Sequence, residues 1–379
     1  ILSTPEFTEQ DAKHIIEKLG LADHDKLLAY IDKNPCRKFS DLSKIAEMAN
    51  SQRESNAAYY TCQSICFSIV NHLPEAKEYT KLDILEPSIG VGNFLPAIIE
   101  KYAEVPSVNI DVVDVDPNSI EILKSLVNRL SVPDNIHIHY IVADFLLHEF
   151  DKTYDLVVGN PPYMKITKDK KLLSAYKSNV YNKETNNIFS FFIEKSMKLG
   201  RVVSFIVPKS LINAPEFNLT REIMKTKRIE RIIDYGEKGF KGVKIETISF
   251  IIDTNKKPKD TIVESYITDS VKVHRQSYIT DGAYPYWLIY RDEEFDEVAS
   301  KMHFNVFKAY RDRFITKSIT KPEGKIRVLK SRNIGDNQII NIADYDCYID
   351  STKDLDVAKF LNKKNCILIP NLTYHPRAC

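Results

Sequence analysis

From about residue 82 onward, short apolar runs alternate with longer stretches whose apolar residues recur every three or four positions. The runs at 82–85, 109–115, 136–142 and 154–158 read as strands, and 95–102 and 118–130 as the helices between them. Further strands at 201–207, 231–234 and 247–252, with a helix at 188–199, continue the pattern. Strands separated by helices of roughly 10–15 residues bury both faces as a doubly wound, largely parallel α/β sheet. Ahead of this block, 11–19, 25–31 and 40–49 carry apolar positions at helical spacing. Beyond it, short strands are expected at 326–329, 338–342 and 366–369, with turn chemistry such as Gly335-Asp336-Asn337. The expected organisation is a helical region at 1–50, an α/β domain at 51–255, a connector at 256–304 and a strand-containing module at 305–379. The last six residues offer no closing element, so the natural protein is expected to run on and the last module to be incomplete.

Directly after the run Tyr154-Asp155-Leu156-Val157-Val158-Gly159 comes Asn160-Pro161-Pro162-Tyr163. Two consecutive prolines fix φ and remove two backbone donors, so the segment can neither extend a ladder nor start an ordinary helical turn. A rigid loop at the carboxyl end of a strand sits where open α/β sheets place their ligands. It offers an amide side chain, carbonyls and an aromatic face, a set suited to a planar group with an exocyclic amine. A simple proline-rich turn is the plainer reading.

Between the first strand and its helix lies Glu86-Pro87-Ser88-Ile89-Gly90-Val91-Gly92-Asn93-Phe94. Gly90 and Gly92 let the backbone approach a ligand closely, and the helix that follows directs its positive end at the same space. Twenty-two residues after Gly92, Asp114 closes the second strand in Val113-Asp114-Val115-Asp116-Pro117. A carboxylate there can accept both hydroxyls of a ribose. Asp116, just before a proline, reads more simply as a helix entry. After the third strand, Asp144-Phe145 places a carboxylate and a ring where an adenine amino group could be met; a capping aspartate is the alternative.

Net charge is only +1, yet residues 301–379 hold 15 Lys+Arg against 8 Asp+Glu, leaving −6 on the first 300. Six lysines lie between Lys165 and Lys183, directly after the double proline. Local basic surfaces on a neutral chain suit nucleic acid in a confined cleft, although a lysine run can equally be a solvated loop. Six cysteines show no Cys-x-x-Cys pair and no zinc spacing, so no metal is expected. That usage suits a reducing cytoplasm. No apolar run reaches the roughly 18 residues a membrane helix needs, so no membrane partner is expected.

Taken together, these residues resemble the amino (adenine-specific, N6) DNA methyltransferases of restriction–modification systems. Within them the resemblance is to the class in which the cofactor motif precedes the catalytic motif and a target-recognition domain is carboxy-terminal. The likeness covers about 60–255, with a looser one beyond 310. It implies a Rossmann-like methyltransferase sheet with S-adenosylmethionine as cofactor and double-stranded DNA as partner, and it admits a cognate restriction endonuclease. Carried over by position, Thr61 (where the family often has Thr-Pro and this chain has Thr61-Cys62), Glu86, Pro87, Ser88, Gly90, Gly92, Asp114, Asp144 and Phe145 would bind the cofactor. Asn160, Pro161, Pro162 and Tyr163 would form the catalytic loop. Tyr163 and Phe240 would stack on the two faces of a flipped-out adenine, and Lys165 would hold phosphate.

The chemistry expected of such a loop follows from the amine itself. Its lone pair is delocalised into the ring, so hydrogen bonds to the Asn160 side-chain oxygen and the Pro161 carbonyl would localise it, and alignment would lower the barrier. Reaching the amine requires the base to leave the duplex stack. Two other readings share the loop: methylation of a protein glutamine amide, and methylation of adenine in RNA. A non-catalytic DNA-binding or specificity subunit is the reading from outside enzymology; the filled catalytic positions speak against it.

Overall fold

The structure is a computed structural model in which residues 7–34, 36–49, 61–237, 245–303 and most of 306–379 are described. It divides into two compact units, Ile1–Asp296 and Glu297–Cys379.

The first unit is built on a nine-stranded sheet of order β3-β2-β1-β4-β5-β7-β6-β8-β9. Its strands are β1 (Lys81–Glu86), β2 (Ser107–Asp114), β3 (Ile136–Val142), β4 (Tyr154–Gly159) and β5 (Gly200–Pro208), followed by β6 (Arg228–Gly236), β7 (Thr247–Asp253), β8 (Asp260–Ser265) and β9 (Ser270–Arg275). β1 pairs in parallel with both β2 and β4, with Ile84 opposite Ile110 on one side and Leu156 on the other. The chain order therefore reverses between β1 and β4, and a ligand crevice is expected outside their carboxyl ends. β7 runs antiparallel between β5 and β6, a reversal that closes the parallel portion. All seven residues of β7 are buried, as a central strand covered on both faces demands.

The helices flanking the sheet start and stop on legible chemistry. Pro117–Val127 begins at Asp116, whose carboxylate accepts from the Asn118 N–H and the Ser119 hydroxyl, with Pro117 in the first turn. Thus Asp116 does what its place before a proline foretold. Lys170–Ser178 is capped by Asp169 through the Leu172 N–H, and Ile188–Leu199 by Asn187 through the Phe189 N–H.

Three amino-terminal helices, Glu9–Leu19, His24–Lys33 and Phe39–Ala49, form a small bundle with its own core of Leu21, Leu27, Ile31, Leu42 and Ile45. That core is shared with Val91 of the glycine loop and with Ile122 and Leu126 of the helix after β2. Polar ties reinforce the seat. Ser125 Oγ donates to Asp32 at 2.6 Å, and Arg129 donates to the Ile31 and Asp32 carbonyls. The bundle is thus part of the first unit's packing, on the side that carries the glycine loop.

Two expectations need correcting. Residues 256–304 are not a bare connector, because β8 and β9 extend the sheet from within them and the units part at 296/297. The pairing Asp260 to Arg275 through Ser265 to Ser270 turns at Asp269, which takes the left-handed backbone that a tight hairpin needs. In the second unit, 326–328 pairs with 347–349 and 334–335 with 338–339. The expected strand at 366–369 does not form; Leu368 instead exchanges backbone hydrogen bonds with Cys379. Among the described residues no helix is long and apolar enough to cross a membrane.

Candidate active site

The crevice at the β1/β4 reversal is lined by four strand-end segments. They are Glu86–Phe94 after β1 (save Gly92), Asp114–Asp116 after β2, Ala143–Phe145 after β3 and Asn160–Pro162 after β4. Thr61, Glu47, Met164 and Tyr176 complete much of the wall. Nearly every residue expected to bind a cofactor, and the asparagine and both prolines of the proposed catalytic corner, therefore face one space.

The glycine loop is shaped by its backbone. Gly90 and Gly92 have φ of +53° and +81°, conformations that L side chains rarely adopt. A Cβ on Gly92 would sit 2.4 Å from Leu123 Cδ1, whereas one on Gly90 would meet open space. Asp114 locks the loop in place: its carboxylate accepts from the Gly90 N–H at 2.9 Å and the Asp116 N–H at 3.0 Å. Burial pushes the Asp114 carboxyl above its ordinary value, and these two N–H donors pull against that shift.

The corner after β4 is strapped on several sides. The Ser88 hydroxyl donates to the Asn160 carbonyl at 3.0 Å, joining the cofactor loop to the double proline. The Asn160 side-chain nitrogen donates to the Thr61 hydroxyl at 2.9 Å. The Asn187 amide donates to the Tyr163 carbonyl, and the Ile188 N–H to the Met164 carbonyl, so the cap of the following helix holds the exit of the loop. The prolines themselves have no N–H to give, and the short antiparallel bridge between Lys165 and Asn187 takes up the chain just beyond them.

Tyr163 is placed differently from its neighbours. It is buried, its hydroxyl donates to the Ile206 carbonyl at 3.0 Å, and its ring meets Phe189 edge-on. It is not among the described residues lining the crevice. Lys165 pairs with Glu216 at 2.6 Å, while Glu216 also accepts from the Thr185 hydroxyl. Phe240 lies outside the described residues.

At the other end of the crevice Asp144 accepts from the Leu146 N–H at 2.9 Å and from the Tyr176 hydroxyl at 2.5 Å. Asp144 therefore closes a turn at 145–147, with no helix for it to cap, alongside its place in the wall. Phe145 packs on Phe192 with ring centroids 4.8 Å apart. Tyr176 belongs to the lysine-rich segment, which is an amphipathic helix with Lys170 and Lys171 exposed and Tyr176 turned inward.

Glu86 carries the clearest sign of what the crevice accepts. It is 2 % exposed, and its Oε2 has no hydrogen-bond partner among the described residues. Burial, then the nearby Asp114 charge, pushes its carboxyl well above the usual range. The described lining holds five carboxylates, Glu47, Glu86, Asp114, Asp116 and Asp144, and no lysine, arginine or histidine. A buried, unpaired carboxyl in an acidic crevice suits a ligand that brings positive charge and hydrogen-bond donors.

Sequence reasoning missed Glu47, Asn93, Tyr176 and Phe192 as wall residues. Tyr176 had a signal, since Leu172, Leu173 and Tyr176 recur at helical spacing inside the lysine run. Glu47 had none, for it reaches the crevice only through the docking of the bundle.

Residues 108–240 match the family model described as Eco57I restriction-modification methylase. The chain is 27% identical over 208 residues to Type II methyltransferase M.VspI of Vibrio sp. (strain 343), covering 53% of this chain and 49% of that protein. It is 25% identical over 221 residues to Type II methyltransferase M.AccI of Acinetobacter calcoaceticus, covering 55% and 39%. The chain thus spans about half or less of the length of these relatives. Among solved structures, a putative class I S-adenosylmethionine-dependent methyltransferase from Listeria monocytogenes aligns with TM-score 0.51 and 17% identity over 68% of this chain and 92% of that one. The type IIG restriction endonuclease BpuSI aligns with TM-score 0.52 and 17% identity, over 66% and 35%. The fold is the Rossmann-like one of that class I methyltransferase, and S-adenosylmethionine is the cofactor that these matches imply.

Proposed function

We propose that this chain, whose residues 108–240 match the Eco57I restriction-modification methylase model, transfers a methyl group to the exocyclic N6 amine of an adenine flipped out of a specific DNA sequence. The carrying observation is that Asn160, Pro161 and Pro162 share one wall with the Gly90 loop, Asp114 and Asp144, tied to that loop through Ser88. S-adenosylmethionine, when bound, supplies an already activated sulfonium methyl, so no covalent nucleophile is needed.

The protein's residues then have positional work. Asp114 and the Gly90–Gly92 backbone would hold the ribose, while Asp144 and Phe145 would meet the adenine of the cofactor. Glu86 would face its cationic amino-acid end. Asn160 Oδ1 and the Pro161 carbonyl would accept from the target amine, favouring a pyramidal nitrogen whose lone pair points at the methyl. Such alignment contributes several kcal/mol of barrier lowering, on the order of 7 or more in well-oriented cases. Tyr163 and Phe240 would stack on the extruded base, offsetting an unstacking cost of a few kcal/mol. Lys165, the lysines of 168–183 and the basic second unit would contact phosphates. The transferred proton would pass to solvent.

Incubation with methyl-labelled S-adenosylmethionine and duplex DNA, RNA or a glutamine-bearing protein tests the reading. Label recovered as N6-methyladenine in DNA supports it. Label on protein or RNA alone replaces it with one of the two readings that share the loop.

A further inference from the structure

The amino-terminal helices do more than cover the sheet. The helix Phe39–Ala49 reaches the crevice with Glu47, whose Oε2 accepts from the Asn93 amide at 3.2 Å just past the glycine loop. Glu86 and Asn93 flank the glycine loop on its two sides in sequence, and Glu86, Asn93 and Glu47 all line the crevice. Thr61 bonds Asn160 after β4, whereas Asp144, bonded by Tyr176, follows β3 at the far side of the strand order. The bundle is held there by its shared core with Val91, Ile122 and Leu126 and by the Asp32 ties to Ser125 and Arg129.

We infer that Glu47 is a cofactor-binding residue, contributed by the amino-terminal bundle, which with the unpaired Glu86 carboxyl receives the ammonium of the methyl donor's amino-acid end. This rests on the reading of the crevice as an S-adenosylmethionine site. A positive group between two carboxylates satisfies the orphaned Glu86 oxygen, and Asn93 keeps Glu47 turned toward the loop. The bundle is accordingly a wall of the cofactor site, and removing its contact loosens one part of the ligand only.

Calorimetric titration of the parent and Glu47→Gln with three compounds separates the possibilities. S-adenosylmethionine and S-adenosylhomocysteine carry the amino-acid end; 5′-deoxy-5′-methylthioadenosine lacks it. The inference predicts about tenfold weaker binding of the first two by the variant, the worth of one charge-assisted hydrogen bond, with binding of the third unchanged. Unchanged affinity for all three overturns it. Equal weakening of all three overturns it as well, since that marks a general role in shaping the pocket. If the parent binds neither of the first two, the cofactor reading itself falls and this inference with it.

Discussion

The side-chain nitrogen of Asn160 donates to the hydroxyl of Thr61 at 2.9 Å, and Thr61 is almost fully buried. With the nitrogen committed to Thr61, the carbonyl end of the amide is the one turned away from it, the polarity that an incoming amine requires. Thr61→Val keeps the shape and removes the acceptor. It is expected to lower kcat about tenfold or more with cofactor Kd changed only a few-fold, and Thr61→Ser is expected to restore most of the rate. A loss confined to cofactor affinity would instead make Thr61 a cofactor contact, the role its position in the resemblance implies.

The two glycines of the cofactor loop are expected to respond differently. Gly92→Ala combines positive φ with a Cβ 2.4 Å from buried Leu123, so a stability loss of about 1–3 kcal/mol and weakened cofactor binding are predicted. Gly90→Ala meets no atom within 4 Å and carries the backbone strain alone, about 1–2 kcal/mol. Urea unfolding of both variants measures the contrast.

Glu86 gives a pH dependence whose sign can be worked out. Burial, then the Asp114 charge, raises its folded value above the unfolded one. Such a carboxyl stabilises the fold by holding a proton; that contribution is full below the ordinary carboxylate range and is lost as pH rises through the folded value. Glu86→Gln stays neutral throughout. Its stability relative to the parent is therefore expected to rise as pH climbs above the ordinary carboxylate range in ligand-free protein. Equal pH profiles for the two proteins would contradict this.

Lys165 stands beside the catalytic corner but is half-exposed and paired with Glu216. The pair contributes little to folding, about 0–1 kcal/mol. Lys165→Ala is expected to leave thermal stability nearly unchanged while weakening DNA binding and lowering the slope of log K against log salt by about one. An unchanged salt slope would mean that Lys165 contacts no phosphate.

Much of the sheet was legible because its strands are buried on both faces, as in Leu156–Gly159 and Thr247–Asp253, and read as plain apolar runs. β8 and β9 were missed because the residues that alternate inward on β8, Thr261, Val263 and Ser265, are mostly polar, while Val271 and Val273 lie exposed on the strand at the sheet's far edge. The strand-end residues of the crevice were legible because strand order fixes where carboxyl ends converge. Glu47 and Tyr176 were not, since each arrives through packing: one by a bundle resting on Ile122 and Leu126, the other by a helix folded back to Asp144. Nor did spacing reveal that the Tyr163 hydroxyl is anchored to Ile206.

The central claim is that the Asn160 corner draws a nucleobase amine into line with a methyl held in the adjoining crevice. The most direct measurement is the rate of N6-methyladenine formation in duplex DNA by the parent and Asn160→Ala at saturating S-adenosylmethionine, with cofactor affinity measured on the same samples. The account predicts methylation by the parent, a rate lower by about 10²–10³ in the variant, and cofactor affinity within a few-fold. A variant that methylates DNA within a few-fold of the parent rate would contradict it.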